Sequence, residues 1–234
     1  MGRRRWTLAL LAVGVCVLAV PAGSRSSGPP GVMDTRGFRL DPPVAFGDFH
    51  MTEGYEGSYV GVVECAGEPA DSDCLWKARS NMASPGITPE DADRIVRNAT
   101  GTGADYIRRS EAPESRNTLV FRGLQGEIRD PEGAARRMMR SIERNEQVPF
   151  LQGSHTEWSG PAQDFRIDSA PGAVMICRNS QYSELFETEI VSWMEAICVW
   201  ADQSTVAAIR GYDVSLDELA VLTAELHRTA RVRG

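Results

Sequence analysis

The four cysteines downstream of the N-terminal segment are the residues best suited to a defined chemistry: Cys65, Cys74, Cys177 and Cys198. Their even number predicts disulfide bonds if the chain folds in an oxidising compartment. The connectivity is open, and the shorter separations favour Cys65 with Cys74 and Cys177 with Cys198, each closing a turn or hairpin. A zinc site would need closely spaced cysteines or histidines, which are lacking, so we expect no metal and no cofactor.

Nucleophilic catalysis has one candidate segment, Gly153-Ser154-His155. A serine nucleophile needs a strained turn of the Gly-x-Ser-x-Gly type and a histidine within reach, and this segment lacks that pattern. We therefore place His155 in an exposed loop. His227 is expected on the polar side of a C-terminal helix, where a cation suits the helix dipole. The sequence predicts no catalytic residues, and we expect a protein that is not an enzyme.

Other charged segments have structural explanations. Asp71-Ser72-Asp73 resembles the start of a calcium loop, but the later ligands are absent. Glu90 and Asp91 suit a helix N-terminus better than acid–base catalysis. Four arginines cluster on the polar side of a predicted helix and are interpreted as a solvated face neutralised by acids, with anionic headgroups or a partner as the alternative: Arg136, Arg137, Arg140 and Arg144.

Aromatic side chains are numerous in the second half of the chain and could line a ligand pocket. Core packing is the favoured interpretation, because Trp193 and Trp200 fall within an apolar strand. The residues concerned are Trp76, Trp158, Trp193, Trp200, Tyr182 and Phe186.

The N-terminus carries an export signal. Arg3, Arg4 and Arg5 precede an apolar run from Trp6 to Val20, a pattern that keeps the N-terminus in the cytoplasm and sends the rest across the membrane. The run is shorter than the ~20 residues of a spanning helix, so a cleaved signal peptide and a retained transmembrane anchor both stay open. We expect a single-pass cell-membrane protein with an extracytoplasmic domain, or a secreted protein.

Charge and composition define three regions. Residues 1–23 form the signal peptide or membrane anchor, residues 24–44 a flexible linker rich in Gly, Ser and Pro, and residues 45–234 a single extracytoplasmic domain. The formal net charge of −7 includes +3 from the N-terminal arginines, which leaves −10 for the remainder. So acidic a domain argues against nucleic acid or anionic lipid as general partners.

Helix-capping and periodicity signals predict three helices. The first begins at Thr88-Pro89, buries Ala92, Ile95, Val96 and Ala99 on one face, and is ended by glycines. The second begins at Asp130-Pro131 and buries Ala134, Ala135, Met138, Met139 and Ile142. The third begins after the capping residue Ser215 and has an apolar stripe formed by Leu216, Leu219, Leu222, Leu226 and Ala230.

Apolar runs predict the strands. Tyr59 to Val63 forms the first, Leu119 to Ile128 another, and Val174 to Arg178 and Ser192 to Ala201 are apolar on both alternating faces, which suits strands covered on both sides. Asp202-Gln203 then turns the chain into a hairpin with Ser204 to Arg210. A bridge between Cys177 and Cys198 would join the two doubly apolar strands.

From about Thr118 onward the chain resembles a family of actinomycete extracytoplasmic proteins without an assigned function, usually tethered by one N-terminal helix. The resemblance rests on Leu119-Val120-Phe121 before Asp130-Pro131, on Pro171-Gly172 before Cys177, and on Cys198-Val199-Trp200-Ala201-Asp202 followed by Ser204-Thr205-Val206. It implies an exported α+β domain and no particular chemistry.

Together these features predict an α+β fold, an antiparallel sheet with about three helices packed against it. The favoured function is a non-catalytic accessory or binding module of the cell envelope, with a cell-envelope protein as its partner and the cytoplasmic membrane as a second contact if the leader is retained. Two alternatives stay open: a ligand-sensing ectodomain with an aromatic-lined cleft, and a cell-wall-directed hydrolase.

Overall fold

Long β-strands, whose side chains alternate between the two faces of a sheet, form most of the structure. A computed structural model describes residues 34–58, 89–108, 117–146, 154–186 and 189–234. The strands in these ranges are β1 (Phe38–Leu40), β2 (Ala45–Phe46), β3 (Phe49–Ser58), β4 (Arg97–Arg108), β5 (Thr118–Glu127), β6 (Ser154–Phe165), β7 (Val174–Phe186), β8 (Glu189–Ala201), β9 (Thr205–Tyr212) and β10 (Arg231–Arg233). The helices are α1 (Pro89–Ile95), α2 (Pro131–Glu146) and α3 (Leu216–Thr229).

Within the described ranges, eight strands form one antiparallel sheet in the order β2-β3-β4-β5-β9-β8-β7-β6. The order consists of two four-stranded meanders joined where β5 pairs with β9, from Thr118 opposite Tyr212 to Gln125 opposite Thr205. Helix α2 connects the first meander to β6 at the far edge. The remaining strands, β1 and β10, pair with each other in a separate two-stranded ribbon.

The central strands are covered on both faces, as their doubly apolar sequences predict. In β9, Val206 and Ala208 belong to a buried cluster with α1 and α2. The alternate residues Ala207 and Ile209 belong to a second buried cluster with α3 on the opposite face. Because strand side chains alternate between faces, one short strand contributes to both cores.

The fold class is nevertheless largely β, and the predicted α+β class with about three helices is wrong. Strands hold more than twice as many of the described residues as helices do, and α1 is only seven residues long. The strand content was underestimated because β6 and the first half of β4 are rich in polar residues and glycine. The two longer helices, α2 and α3, lie where they were predicted.

The predicted first helix ends early. It stops at Ile95, and β4 begins at Arg97, so Ala99 and the glycines expected to end the helix lie within a strand. Asn98 has φ 54°, in the left-handed region, and the register of β4 against β5 shifts at this point. Gly103 is required in the strand because a Cβ there would lie 2.8 Å from Cδ of Arg122, whose side chain crosses it.

The folded region extends into the predicted linker. Phe38–Leu40 form β1, opposite Arg231–Arg233. The carbonyl oxygen of Pro43 accepts a hydrogen bond of 3.0 Å from the Tyr106 hydroxyl. Residues 38–43 therefore belong to the folded domain, because their backbone groups form hydrogen bonds within the protein that a free linker would form with water.

The predicted Cys177–Cys198 disulfide is confirmed. The two cysteines are directly opposite each other in the β7–β8 pair, and both are fully buried on the α3 side of the sheet.

The other predicted pair, Cys65 with Cys74, lies outside the described residues, as do the leader, the Tyr59–Val63 strand and Asp71-Ser72-Asp73. None of the described helices has the length and hydrophobicity needed to span a membrane.

The disulfide generates a stability prediction. The double variant Cys177→Ala/Cys198→Ala is expected to lose about 3 kcal/mol of unfolding free energy, because the bridge closes a loop with a sequence separation of 21 residues. Urea unfolding without reductant measures the difference from wild type. Equal midpoints and slopes for the two proteins would contradict it. The matched variant Cys65→Ala/Cys74→Ala tests the second predicted bridge in the same way.

Candidate functional site

Helix α3 forms one wall of the candidate site, and its sequence explains its position. The Ser215 hydroxyl accepts a hydrogen bond of 3.3 Å from the Glu218 amide, which confirms the predicted N-cap. The predicted apolar stripe is buried against the sheet, from Leu216 to Ala230. The opposite side of the helix carries Val221, which is exposed.

A buried charged cluster holds the C-terminal end of α3 to the β8–β9 turn. The Asp202 carboxylate accepts hydrogen bonds of 2.9 and 2.8 Å from the amides of Ser204 and Thr205. Its Oδ2 lies 2.9 Å from Nε of Arg231 and 3.3 Å from Nε2 of His227. Nη1 of Arg231 is in turn 2.9 Å from Nε2 of His227.

The titration behaviour of this cluster follows from its burial. Burial lowers the pKa of His227 below its ordinary value and the Arg231 charge adds to this, whereas the contact of its ring nitrogen with the Asp202 carboxylate opposes it. His227 is therefore neutral at pH 7, with Nε2 within hydrogen-bonding distance of both Asp202 Oδ2 and Arg231 Nη1. For Asp202, burial raises the pKa, but His227, Arg231 and the two turn amides outweigh it, so its pKa lies below the ordinary value. Asp202 and Arg231 form a buried ion pair.

The prediction that His227 lies on the polar side of the helix is wrong. Its side chain is fully buried, with its ring edge-on to Trp200 at 5.6 Å between centroids. The stripe of α3 is wider than the leucines alone indicate, because Thr223 is buried as well. One sequence signal could have revealed part of the cluster. Thr223, His227 and Arg231 follow one another at intervals of four residues, the spacing that places side chains on one face of a helix. The aspartate that completes the cluster is too far away in sequence for that spacing to identify it.

Beside this cluster a groove runs between α3 and residues 165–175, and we call it the C-terminal groove. Its volume is about 660 Å³ and it is open to solvent. The floor is apolar and is formed by Phe165, Met175, Ala220 and Ala224, and the exposed Val221 lies at the outer edge of the groove. The rim carries charges of both signs, on Arg166, Asp168, Asp217, Glu225 and Arg228. This volume lies in the range of ligand-binding clefts.

The core beneath the C-terminal groove is cross-linked and tightly packed. Met175 in the floor is two residues from Cys177 on the same face of β7, so the disulfide lies directly behind the floor. Trp200 and Phe121 stack at 5.7 Å between ring centroids beneath α3. The β7 side of the groove is therefore anchored in the folded core.

The other predicted candidates do not form one site, although Tyr182 and Trp193 stack on each other at 5.7 Å between ring centroids. His155 is exposed, as predicted, but it lies in β6 rather than in a loop. Trp158 and Trp193 are on the α2 side of the sheet, whereas Trp200 is in the core on the α3 side. Trp76 is outside the described residues, and the side chain of Phe186 is not described.

Two of the four arginines of the predicted cluster, Arg136 and Arg144, form ion pairs with acids. Asp91 is buried in α1 and lies 2.7 Å from Nη2 of Arg144. Arg136 pairs with Glu132 at 3.2 Å and with Asp164 at 3.3 Å. Among the residues that the structure describes, no group of three or more potential ligands suited to a metal ion occurs.

Comparisons of the chain with protein-family models, with curated protein sequences and with solved structures gave no match.

The buried ion pair generates the second prediction. Asp202→Asn is expected to lower the free energy of unfolding by about 3–5 kcal/mol, because it leaves the buried Arg231 without a counter-charge. Chemical denaturation measures the change. Asp34→Asn is the matched control, since it removes the exposed ion pair with Arg36 and is expected to leave stability unchanged. Similar losses in both variants would contradict a special role for Asp202.

The depressed pKa of His227 generates the third prediction. The unfolded chain takes up a proton near pH 6.5 whereas the folded chain does so only at lower pH, so stability is retained above pH 6.5 and is lost as the pH falls below it. Unfolding free energies from about pH 8 to about pH 5 should show this loss in wild type and a shallower one in His227→Gln. Parallel pH profiles for the two proteins would contradict it.

Proposed function

We propose that this chain is an exported binding module of the cell envelope, without catalytic activity, that docks a segment of a partner protein in the C-terminal groove. The observation that carries the proposal is the groove's apolar lining, which is open to solvent and has Val221, 69% exposed, at its outer edge. Open apolar surfaces with polar rims are typical of protein-docking sites, whereas small-molecule sites enclose most of the ligand.

The lining of the groove defines the chemistry of the partner segment. Ala220 and Ala224 are small, so a backbone can approach α3 closely at this point. The rim offers Asp217 and Glu225 on α3 together with Arg166 and Arg228. A complementary segment would present apolar side chains to the floor, flanked by charges of both signs, and the rim charges would fix its register.

Two further observations support export. The Cys177–Cys198 disulfide suits an oxidising compartment, where such bonds persist. The N-terminal arginines and the apolar run after them have the composition of an export signal. A cleaved leader would give a secreted protein and a retained one a single-pass membrane protein. The docking proposal holds for either form.

The fourth prediction tests the groove directly. A photo-crosslinking residue at position 221 in the intact protein, expressed in its native host, should form one specific adduct with an envelope protein. Val221→Glu should reduce co-purification of that protein at least about tenfold, because the docked segment would desolvate the new charge at the edge of the apolar groove. Mass spectrometry identifies the partner and the mature N-terminus in one preparation.

The matched control is Ile190→Glu. Ile190 is 74% exposed on β8 and is not among the groove residues, so this variant adds the same charge at an equally exposed apolar position. It should retain the partner, and thermal unfolding should show that both variants are folded. The proposal would be overturned if no adduct formed at position 221, if both variants lost the partner equally, or if the protein turned over a cell-wall substrate and His155→Ala abolished that turnover.

A further inference from the structure

A second concave site lies on the other side of the sheet, where α1 ends, β4 begins, β5 ends and α2 begins. This cleft has a volume of about 350 Å³. Four arginines from these elements border it: Arg94, Arg97, Arg129 and Arg137. Two acids, Glu127 and Asp130, are the only carboxylates among the described residues that line it. We call it the arginine cleft.

Both acids are already engaged. Asp130 Oδ1 accepts a hydrogen bond of 2.9 Å from the Gly133 amide and so caps the N-terminus of α2. Glu127 pairs with Arg129 at 2.8 Å, and this hydrogen bond holds the pKa of Glu127 below its ordinary value. The four arginines and two carboxylates that line the cleft give it a formal charge of +2, in a protein whose net charge is −7. This local positive charge is opposite in sign to the net charge of the protein.

Ion pairs do not neutralise the other three arginines of the cleft, Arg94, Arg97 and Arg137. Arg94 lies 3.7 Å from Asp91, whose nearer partner is Arg144 at 2.7 Å. Arg137 donates a hydrogen bond of 3.4 Å to the carbonyl oxygen of Arg94, which directs it across the end of α1. Within the described ranges Arg97 has no ion-pair partner within 4 Å. Guanidinium groups therefore remain available on three different elements.

The floor of the cleft is built into the fold. A Cβ at Gly126 would lie 2.5 Å from the carbonyl oxygen of Arg97 and 2.7 Å from Cγ1 of Val96, so the turn that carries Arg97 rests directly on β5. Val96 and Ile128 are buried beneath it in the α2 core. The backbone position of Arg97 is consequently fixed.

We infer that the arginine cleft binds a phosphoryl group. Planar guanidinium groups recognise phosphate oxygens by paired hydrogen bonds, and arginines on several elements can reach oxygens that point in different directions. A dianionic phosphate would neutralise the surplus of +2. The acidic remainder of the chain repels extended polyanions, which favours a compact anion such as a phosphomonoester or a lipid phosphate headgroup. This site is separate from the C-terminal groove, and either could exist without the other.

The experiment measures binding of defined anions by the full chain. Inorganic phosphate and glycerol 3-phosphate are titrated by calorimetry and by amide chemical shifts, and vesicles of phosphatidylglycerol with phosphatidylcholine are tested by co-sedimentation. Binding should be saturable in at least one of these arms, with shifts centred on Arg97, Arg129 and Gly133. Arg97→Gln/Arg137→Gln should raise Kd about tenfold or more.

The matched control is Arg140→Gln, which removes the same charge from the polar side of α2 but lies outside the cleft. If the double variant does not fold, the single variant Arg97→Gln replaces it, with thermal unfolding as the check. Binding of free phosphates assigns a soluble ligand, and binding of vesicles alone assigns a headgroup. The inference is overturned if wild type shows no saturable binding in any arm, or if Arg140→Gln weakens binding as much as the cleft variants do.

Discussion

The carboxylate of Asp202 is the interaction on which the arrangement of this protein depends. It closes the β8–β9 turn by accepting hydrogen bonds from Ser204 and Thr205, and it also pairs with Arg231, just beyond α3. Because the carboxylate is buried, its charge is compensated only when the C-terminal end of α3 is in place. Docking of the helix is thereby coupled to closure of the turn.

The same turn also binds the N-terminal part of the described chain. Thr35 and Gln203 exchange two hydrogen bonds of 3.1 and 2.9 Å between backbone amides and side-chain oxygens. The amides of Gly126 and Ile128, at the end of β5, donate to the carbonyl oxygens of Ser204 and Gln203. Ile128 lines the arginine cleft, and α3 lines the C-terminal groove. Both candidate sites therefore depend on one turn, although they lie on opposite faces of the sheet.

Features that depend on nearby residues could be predicted from the sequence. The caps of α2 and α3 use residues within one turn of the helix, and the doubly apolar segments of β7 and β8 lie in consecutive strands, so short-range patterns identified them. The Cys177–Cys198 bridge followed from the short separation of the two cysteines and from the expectation of export. The resemblance to actinomycete extracytoplasmic proteins and the exported location themselves remain predictions.

Features that depend on distant residues could not be predicted in this way. His227 was placed in solvent because the aspartate that completes its cluster is 25 residues away in sequence. Strand β6 was missed because it pairs only with β7 at the sheet edge, and an edge position tolerates Pro161 and a register shift near Gly160. The arginine cleft needed the close packing at Gly126, which no periodic pattern encodes.

The most direct test of the coupling between turn and helix is native-state hydrogen exchange, read at the amides of Thr205 in the turn and Ala230 at the end of α3. If Asp202 joins the two elements, both amides exchange with the same opening free energy, equal to that of global unfolding. If Ala230 exchanges through a lower-energy opening while Thr205 stays protected, α3 detaches independently and the central claim is contradicted.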